Sequence, residues 1–211
     1  MVKFKGKYRI ESNRLKGWDY SSEAMYFITI VTQNRECNLG KIVNGKMILS
    51  DFGKIIKTEW LESFDIRHEL FLDEYVIMPN HLHAIVIIKN RITEFDADVD
   101  NGNVDNGNVE THGRASLPII PIPSPSFQLY RLPKSISSFM GGFKSAINSK
   151  IDDYIDEHQL QIPKYNRNNH FFQPNYHDHI IRNNESYQKI KNYIINNPKK
   201  WVDDTFNNFN K

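Results

Sequence analysis

Glu74-Tyr75-Val76-Ile77-Met78-Pro79-Asn80-His81-Leu82-His83-Ala84-Ile85-Val86-Ile87-Ile88 (EYVIMPNHLHAIVII) is an apolar stretch broken once, by Pro-Asn, and marked directly afterwards by two histidines one residue apart. The chain takes on strand character from Phe71, and Pro79 cannot donate to a sheet ladder, whereas Pro and Asn are both favoured in turns. The stretch therefore reads as two antiparallel strands joined by a tight turn at Met78-Pro79-Asn80, the second running from His81 to Ile88. Side chains alternate along a strand, so His81 and His83 leave one face of the sheet and Leu82 the other.

Upstream, Tyr26 to Thr32 (YFITIVT) is rich in β-branched and aromatic residues and reads as the first core strand. Asn44-Gly45 lies between two short apolar runs within 41–49, the pattern of a β-hairpin. Ser50 and Asp51 offer an N-cap, and Phe52, Ile55, Ile56, Trp60, Leu61 and Phe64 recur at helical spacing to about Ile66. Downstream, Ile136, Phe139, Met140, Phe143, Ile147 and Ile151 predict a helix from Ser135. A last helix is predicted from about Ser186 to Asn197, capped by Asn183-Asn184-Glu185 and closed by Pro198. The order strand, helix, strand, strand, helix predicts an α+β fold, a ferredoxin-like antiparallel sheet with helices on one face and an extra C-terminal helix. The second face of the sheet would then be free for a ligand.

Between the second histidine-bearing strand and the helix at Ser135 the composition changes. Asp100-Asn101-Gly102-Asn103-Val104 is repeated as residues 105–109, and Leu117 to Pro125 is a proline-rich run suited to polyproline-like conformation. Residues from about 90 to 130 read as a flexible insertion in a single domain spanning 1–211. With 27 Lys and Arg against 25 Asp and Glu, the net charge is +2, so no strong overall field points to a nucleic-acid partner. No signal-like or membrane-spanning apolar segment is present in the sequence, and the single cysteine, Cys37, has no partner for a disulfide. These features fit a cytoplasmic protein in a reducing compartment.

Two imidazoles converging from one strand face suit a divalent cation, but a pair alone makes a weak site and needs a third nitrogen or oxygen ligand. The competing reading is a satisfied surface pair with no ligand. On the C-terminal helix, at about 100° per residue, Tyr187, Ile190, Tyr193, Ile194 and Asn197 share one arc, with Tyr193 and Asn197 one turn apart. There, too, a packing tyrosine and a C-cap asparagine are the simpler reading. A second His-x-His, His177-Asp178-His179, stands between QPNY and IIRNN without comparable strand context and serves as an internal control.

Taken together and in order, MPNHLH before an apolar strand, FMGGFKSAINSKI, and FFQPNYHDHIIRNNESYQKIKNYIINNPKKW resemble the REP-associated tyrosine transposases, a branch of the single-tyrosine HUH transposases of insertion sequences. The segment YRIESNRLKGWDYSSEAMYFITIVTQNR is similar to their N-terminal stretch, and the resemblance covers most of the chain outside about 90–130. It implies that His81 and His83 bind Mg²⁺ or Mn²⁺, that Asn197 completes the site where many relatives carry Gln, and that Tyr193, in a Tyr-Ile-x-x-Asn-Pro pattern, is the nucleophile. The implied activity is metal-dependent cleavage and rejoining of single-stranded DNA near hairpin-forming repeats through a 5′-phosphotyrosine, without a nucleotide cofactor. A homodimer exchanging tyrosine helices is compatible with it.

Recognition of single strands depends on stacking and phosphate contacts. The expected phosphate contacts are Lys144, Arg182, Arg35 and the basic run Lys3, Lys5, Lys7 and Arg9; each has the simpler reading of a solvated surface charge. Alternative functions are a domesticated hairpin-DNA-binding protein and a rolling-circle-type nickase built on the same centre.

Overall fold

The computed structural model describes residues 3–4, 7–8, 14–89, 134–166 and 168–207. The expected insertion at about 90–130, together with Lys5 and Arg9, lies outside the described residues. Two-residue strands β1 (Lys3–Phe4) and β2 (Lys7–Tyr8) pair with each other. The main sheet is built from β3 (Ala24–Val31), β6 (Leu70–Ile77), β7 (His81–Ile88) and β8 (His177–Ile181) in the order β6-β7-β3-β8, every pair antiparallel. A separate hairpin, β4 (Gly40–Val43) with β5 (Lys46–Leu49), turns at Asn44-Gly45, where both residues have positive φ, as a type I′ turn requires.

Helix α1 (Asp51–Ile66) separates β3 from β6, and α2 (Ile136–Glu157) separates β7 from β8. This chain order and sheet order are those of a ferredoxin-like α+β fold. Ser50 caps α1 by accepting a hydrogen bond from the Gly53 amide at 3.0 Å, and Ser135 caps α2 from Ser138 at 3.2 Å. Both helices pack on one sheet face. Ile56 and Trp60 of α1 and Phe139, Phe143 and Ile147 of α2 share a core with Tyr26, Ile28 and Ile30 of β3 and with Leu82, Ala84, Val86 and Ile88 of β7. That set is the even-numbered half of each strand, so the odd-numbered residues leave the other face.

Two expectations are corrected here. The segment around His177 is a strand after all: β8 pairs with β3 through Met25↔Ile181, Phe27↔His179 and Thr29↔His177. The second sheet face is also not free. Helix α3 (Asn184–Asn196) lies on it, in contact with β6 and β7, and Ile194 packs with Ile85 and Ile181 in a small second core. A 3-10 helix, Asn197–Asp203, continues directly from α3 and leads into a turn through Asn207. No helix among the described residues is long and apolar enough to cross a membrane.

Candidate active site

His81 and His83 leave β7 on the α3 side, with ring centroids 4.5 Å apart. Each ring is oriented by a hydrogen bond at Nδ1. Asn80, the last residue of the turn, donates its side-chain amide to the carbonyls of Arg35 at 3.0 Å and Phe206 at 2.8 Å. That fixes the amide, so Asn80 Oδ1 is the acceptor 2.9 Å from His81 Nδ1, and the imidazole proton sits on Nδ1. His81 Nε2 is left as a lone pair, buried and with no hydrogen-bond partner among the described residues. His83 Nδ1 lies 2.8 Å from the hydroxyl of Thr29, its register partner on β3. The tautomer donating Nδ1–H to Thr29 leaves His83 Nε2 to accept the Tyr193 hydroxyl, 3.1 Å away.

Helix α3 brings the rest. Tyr193 is 41% exposed, with its ring edge-on to Phe27 at 6.2 Å. Asn197, at the C-cap of α3, is buried; its Nδ2 donates to Asp204 Oδ2 at 3.2 Å, and its Oδ1 has no hydrogen-bond partner among the described residues. The four residues His81, His83, Tyr193 and Asn197 are thus gathered between β7 and the C-terminal end of α3.

Burial holds both imidazoles neutral. It lowers the His83 pKa from 6.5 to about 3, and it pushes His81 well below 6.5, where a proton on His81 would also be opposed by the neighbouring His83 ring and the Arg35 charge. Burial also raises the Tyr193 phenol above its ordinary value of 10, with Asp204 adding to the effect and a hydrogen bond from Asn197 opposing it. Neutral imidazoles are the ligand form of histidine. Two buried acceptors without a partner among the described residues, His81 Nε2 and Asn197 Oδ1, together with His83 Nε2, make a donor set of two nitrogens and one oxygen that fits a divalent cation. Among the described residues no cluster of three His, Cys, Asp or Glu side chains could hold a metal, so a third protein ligand here would be of another kind, as the Asn197 amide oxygen would be.

The histidines do not lie on an open face as the sequence led one to expect: His81 is 0% and His83 2% exposed. The strap after α3 covers them. The Phe206 ring lies tilted at 4.6 Å from the His81 ring and edge-on at 6.1 Å from His83, and Trp201 lies 6.1 Å from His81. Asn80 holds the Phe206 carbonyl, Asp204 Oδ1 accepts from the Phe206 amide at 2.7 Å, and Arg35 donates to the Thr205 carbonyl at 3.1 Å with its guanidinium 5.3 Å over the Phe206 ring.

The expected phosphate contacts are dispersed. Arg35, at φ 58 beside Asn34 at φ 55, is engaged with the strap at the rim of the site. Lys144 is on α2, where Nζ donates to the carbonyls of Gln173, Pro174 and Asn175 at 2.6, 3.2 and 3.2 Å; its place is to hold the loop before β8. Arg182 lines a separate cavity of about 390 Å³ with Tyr20, Asp178 and Asn183. Lys3 and Lys7 fall in β1 and β2. The control pair His177 and His179 is exposed at the sheet edge, on the same face as the site, across β3 from His83 and Ile85. Thr29, Asn80, Asp204 and Phe206 were missed by sequence reasoning. Only Asn80 carries a sequence signal, inside MPNHLH, and there it reads as a turn residue.

No family model matches the chain. It is 32% identical over 207 residues to a protein of Haemophilus influenzae described as uncharacterized, covering 94% of this chain and 93% of that one. Among solved structures it is similar to one described as a REP-associated tyrosine transposase bound to a REP hairpin, at 16% identity and a TM-score of 0.47, covering 92% of this chain and 73% of that one.

Proposed function

We propose that this chain, which belongs to the same family as the Haemophilus influenzae protein, is a metal-dependent single-stranded DNA transposase that cleaves and rejoins strands beside hairpin-forming repeats, with Tyr193 as nucleophile. One observation carries the reading: the Tyr193 hydroxyl, on α3, meets His83 Nε2 at 3.1 Å beside two buried acceptors with no partner among the described residues, His81 Nε2 and Asn197 Oδ1. A buried acceptor left unpaired costs about 1–3 kcal/mol. Two of them gathered around a tyrosine hydroxyl make little sense as packing and good sense as ligands. The motif resemblance to tyrosine transposases supports the same assignment.

His81, His83 and Asn197 would hold Mg²⁺ or Mn²⁺, which when bound neutralises charge on the scissile phosphate. Tyr193 Oη forms a bond to phosphorus as the bond to the 3′ oxygen breaks. The phenolic proton is lost to solvent and the departing 3′ oxygen takes one up, leaving a 5′-phosphotyrosine and a free 3′-hydroxyl. The new phosphodiester keeps the bond energy, so the 3′-hydroxyl of another strand can reverse the step without ATP. Asn80 and Thr29 act by fixing the tautomers that point both Nε2 atoms inward. Because Phe206 covers the histidines, the strap has to shift before a phosphate reaches them.

The test is incubation of the full chain with a library of single-stranded hairpin oligonucleotides and Mn²⁺. The reading expects a covalent protein–DNA adduct that survives denaturing electrophoresis and is absent in EDTA. A library that yields adducts with no oligonucleotide would overturn it.

A further inference from the structure

Helix α3 holds Tyr193 in place with few buried contacts: Ile194 is its one fully buried side chain, packed in a cluster separate from the main core. Apolar contacts of that kind are not directional and do not fix the roll of a helix about its axis. A roll of about 20° moves groups at the side-chain radius of about 5–6 Å by about 2 Å. That is enough to take the Tyr193 hydroxyl out of its 3.1 Å contact with His83.

At about 100° per residue, Tyr193 and Lys191 stand on opposite flanks of the buried arc, roughly 160° apart, with Asn197, Ile190, Ile194 and Tyr187 between them. Tyr193 reaches inward to β7 on its flank. On the other flank Lys191 Nζ donates to Asp73 Oδ1 of β6 at 2.9 Å and to the Tyr187 hydroxyl at 3.0 Å, in a pair whose side chains are 29% and 21% exposed. Asp73 stands on the α3 side of β6 by alternation with Leu70 and Leu72 of the main core, at the start of an irregularity. The register of β6 against β7 shifts between Leu72 and Tyr75, so that Asp73 and Glu74 together oppose Ile85, a residue of the α3 face. The bulge then returns Tyr75 and Ile77, rather than Glu74 and Val76, to the main core. The other oxygen of the Asp73 carboxylate, Oδ2, is buried with no partner among the described residues, and Lys191 is the cation paired with Oδ1.

We propose that the Asp73–Lys191 ion pair, braced by Tyr187, is a positioning latch that sets the roll of α3 and so aims Tyr193 at the histidine pair. Neither residue touches the reacting atoms, so both are positioning residues. The inference rests on the tyrosine-nucleophile reading for its consequence in catalysis, but not for the geometry itself.

The variants are Asp73→Asn, Lys191→Met and the exchanged pair Asp73→Lys with Lys191→Asp, each in the full chain. Two readouts are followed: the nuclear Overhauser contact between the Tyr193 and His83 rings, and the rate of adduct formation with a hairpin oligonucleotide in Mn²⁺. Each single variant is expected to weaken the ring contact and to slow adduct formation on the order of 100-fold at saturating DNA, with hairpin affinity unchanged. The exchanged pair restores both, which a merely destabilising substitution would not do. Retention of the ring contact and rate in the single variants, or an exchanged pair as defective as either single, overturns the latch. Should no adduct form even with the parent chain, the ring contact alone decides the latch, and the failure belongs to the functional reading.

Discussion

Acidification from pH 7 to pH 5 in metal-free buffer is expected to destabilise the protein, with His83 alone contributing about 2 kcal/mol of the loss. Its ring is 2% exposed, and protonating Nε2 would break the acceptance of the Tyr193 hydroxyl. Burial takes its pKa from 6.5 to about 3. The folded pKa is depressed, so the ring is neutral in both states above 6.5 and stability does not depend on it there. Below 6.5 the unfolded chain binds a proton that the folded chain refuses, and each unit costs about 1.4 kcal/mol until the folded ring titrates near pH 3. His81 is shifted in the same direction and adds to the loss. Set against a total stability of about 5–15 kcal/mol and a urea slope of about 1–3 kcal/mol per molar, the His83 part moves the urea midpoint by roughly 1 M. The assay is urea unfolding by circular dichroism at both pH values, for the parent chain and for His83→Gln, which keeps a polar side chain without an ionisable ring. His83→Gln should lose less stability on acidification, by that amount. Equal losses in the two proteins would refute the assignment of a buried, neutral His83.

Three further outcomes follow from the same contacts. Phe206→Ala should strip the cover from the histidines: His81, protected in the parent chain, becomes reactive to diethyl pyrocarbonate by mass spectrometry, at a stability cost of about 2 kcal/mol for a half-buried ring. Tyr193→Phe removes the hydroxyl that occupies His83 Nε2, so Mn²⁺ should bind the variant at least as tightly as the parent in calorimetric titration; weaker binding would argue against His83 as a ligand. Lys144→Met should cost about 1.5–3 kcal/mol in thermal unfolding, through loss of its bonds to three carbonyls, while hairpin-DNA affinity in a filter assay changes little.

What could be read from the chain was what depends on neighbours in sequence. Asn44-Gly45 gave the β4–β5 turn because positive φ at two successive residues is demanded locally, and Ser50 gave the start of α1 because the cap is a bond to a residue three positions on. The turn at Met78-Pro79-Asn80 and the projection of both histidines from one face were legible for the same reason. Strand β8 was not. It is an edge strand in which Ile180 and Ile181 are the apolar pair and the exposed His177 and His179 supply the alternation, so its pattern resembles a loop until β3 pairs with it.

The burial of His81 and His83 was illegible for a different reason. It depends on Phe206, more than a hundred residues away, folding back after a 3-10 helix. Register likewise decides that Thr29 stands opposite His83, and a bulge in β6 decides that Tyr75 and Ile77 return to the main core; neither is written in any local pattern. That the Lys144 ammonium donates to three backbone carbonyls of the loop before β8 is likewise a contact across the fold, with no local sequence pattern to announce it.

The most direct measurement is the site of the covalent link. The parent chain, Tyr193→Phe, Tyr187→Phe and Tyr176→Phe are incubated with a reactive hairpin oligonucleotide and Mn²⁺, and the trapped adduct is digested and mapped by mass spectrometry. Tyr176 and Tyr187 already have other partners, since the Tyr176 hydroxyl accepts from Arg14 at 2.7 Å and the Tyr187 hydroxyl from Lys191 at 3.0 Å. The expected result is a nucleotide on the peptide containing Asn192-Tyr193-Ile194 and no adduct in Tyr193→Phe, with the other two variants still linking to DNA. An adduct on another tyrosine, or one that persists in Tyr193→Phe, would contradict the assignment of Tyr193 as the nucleophile.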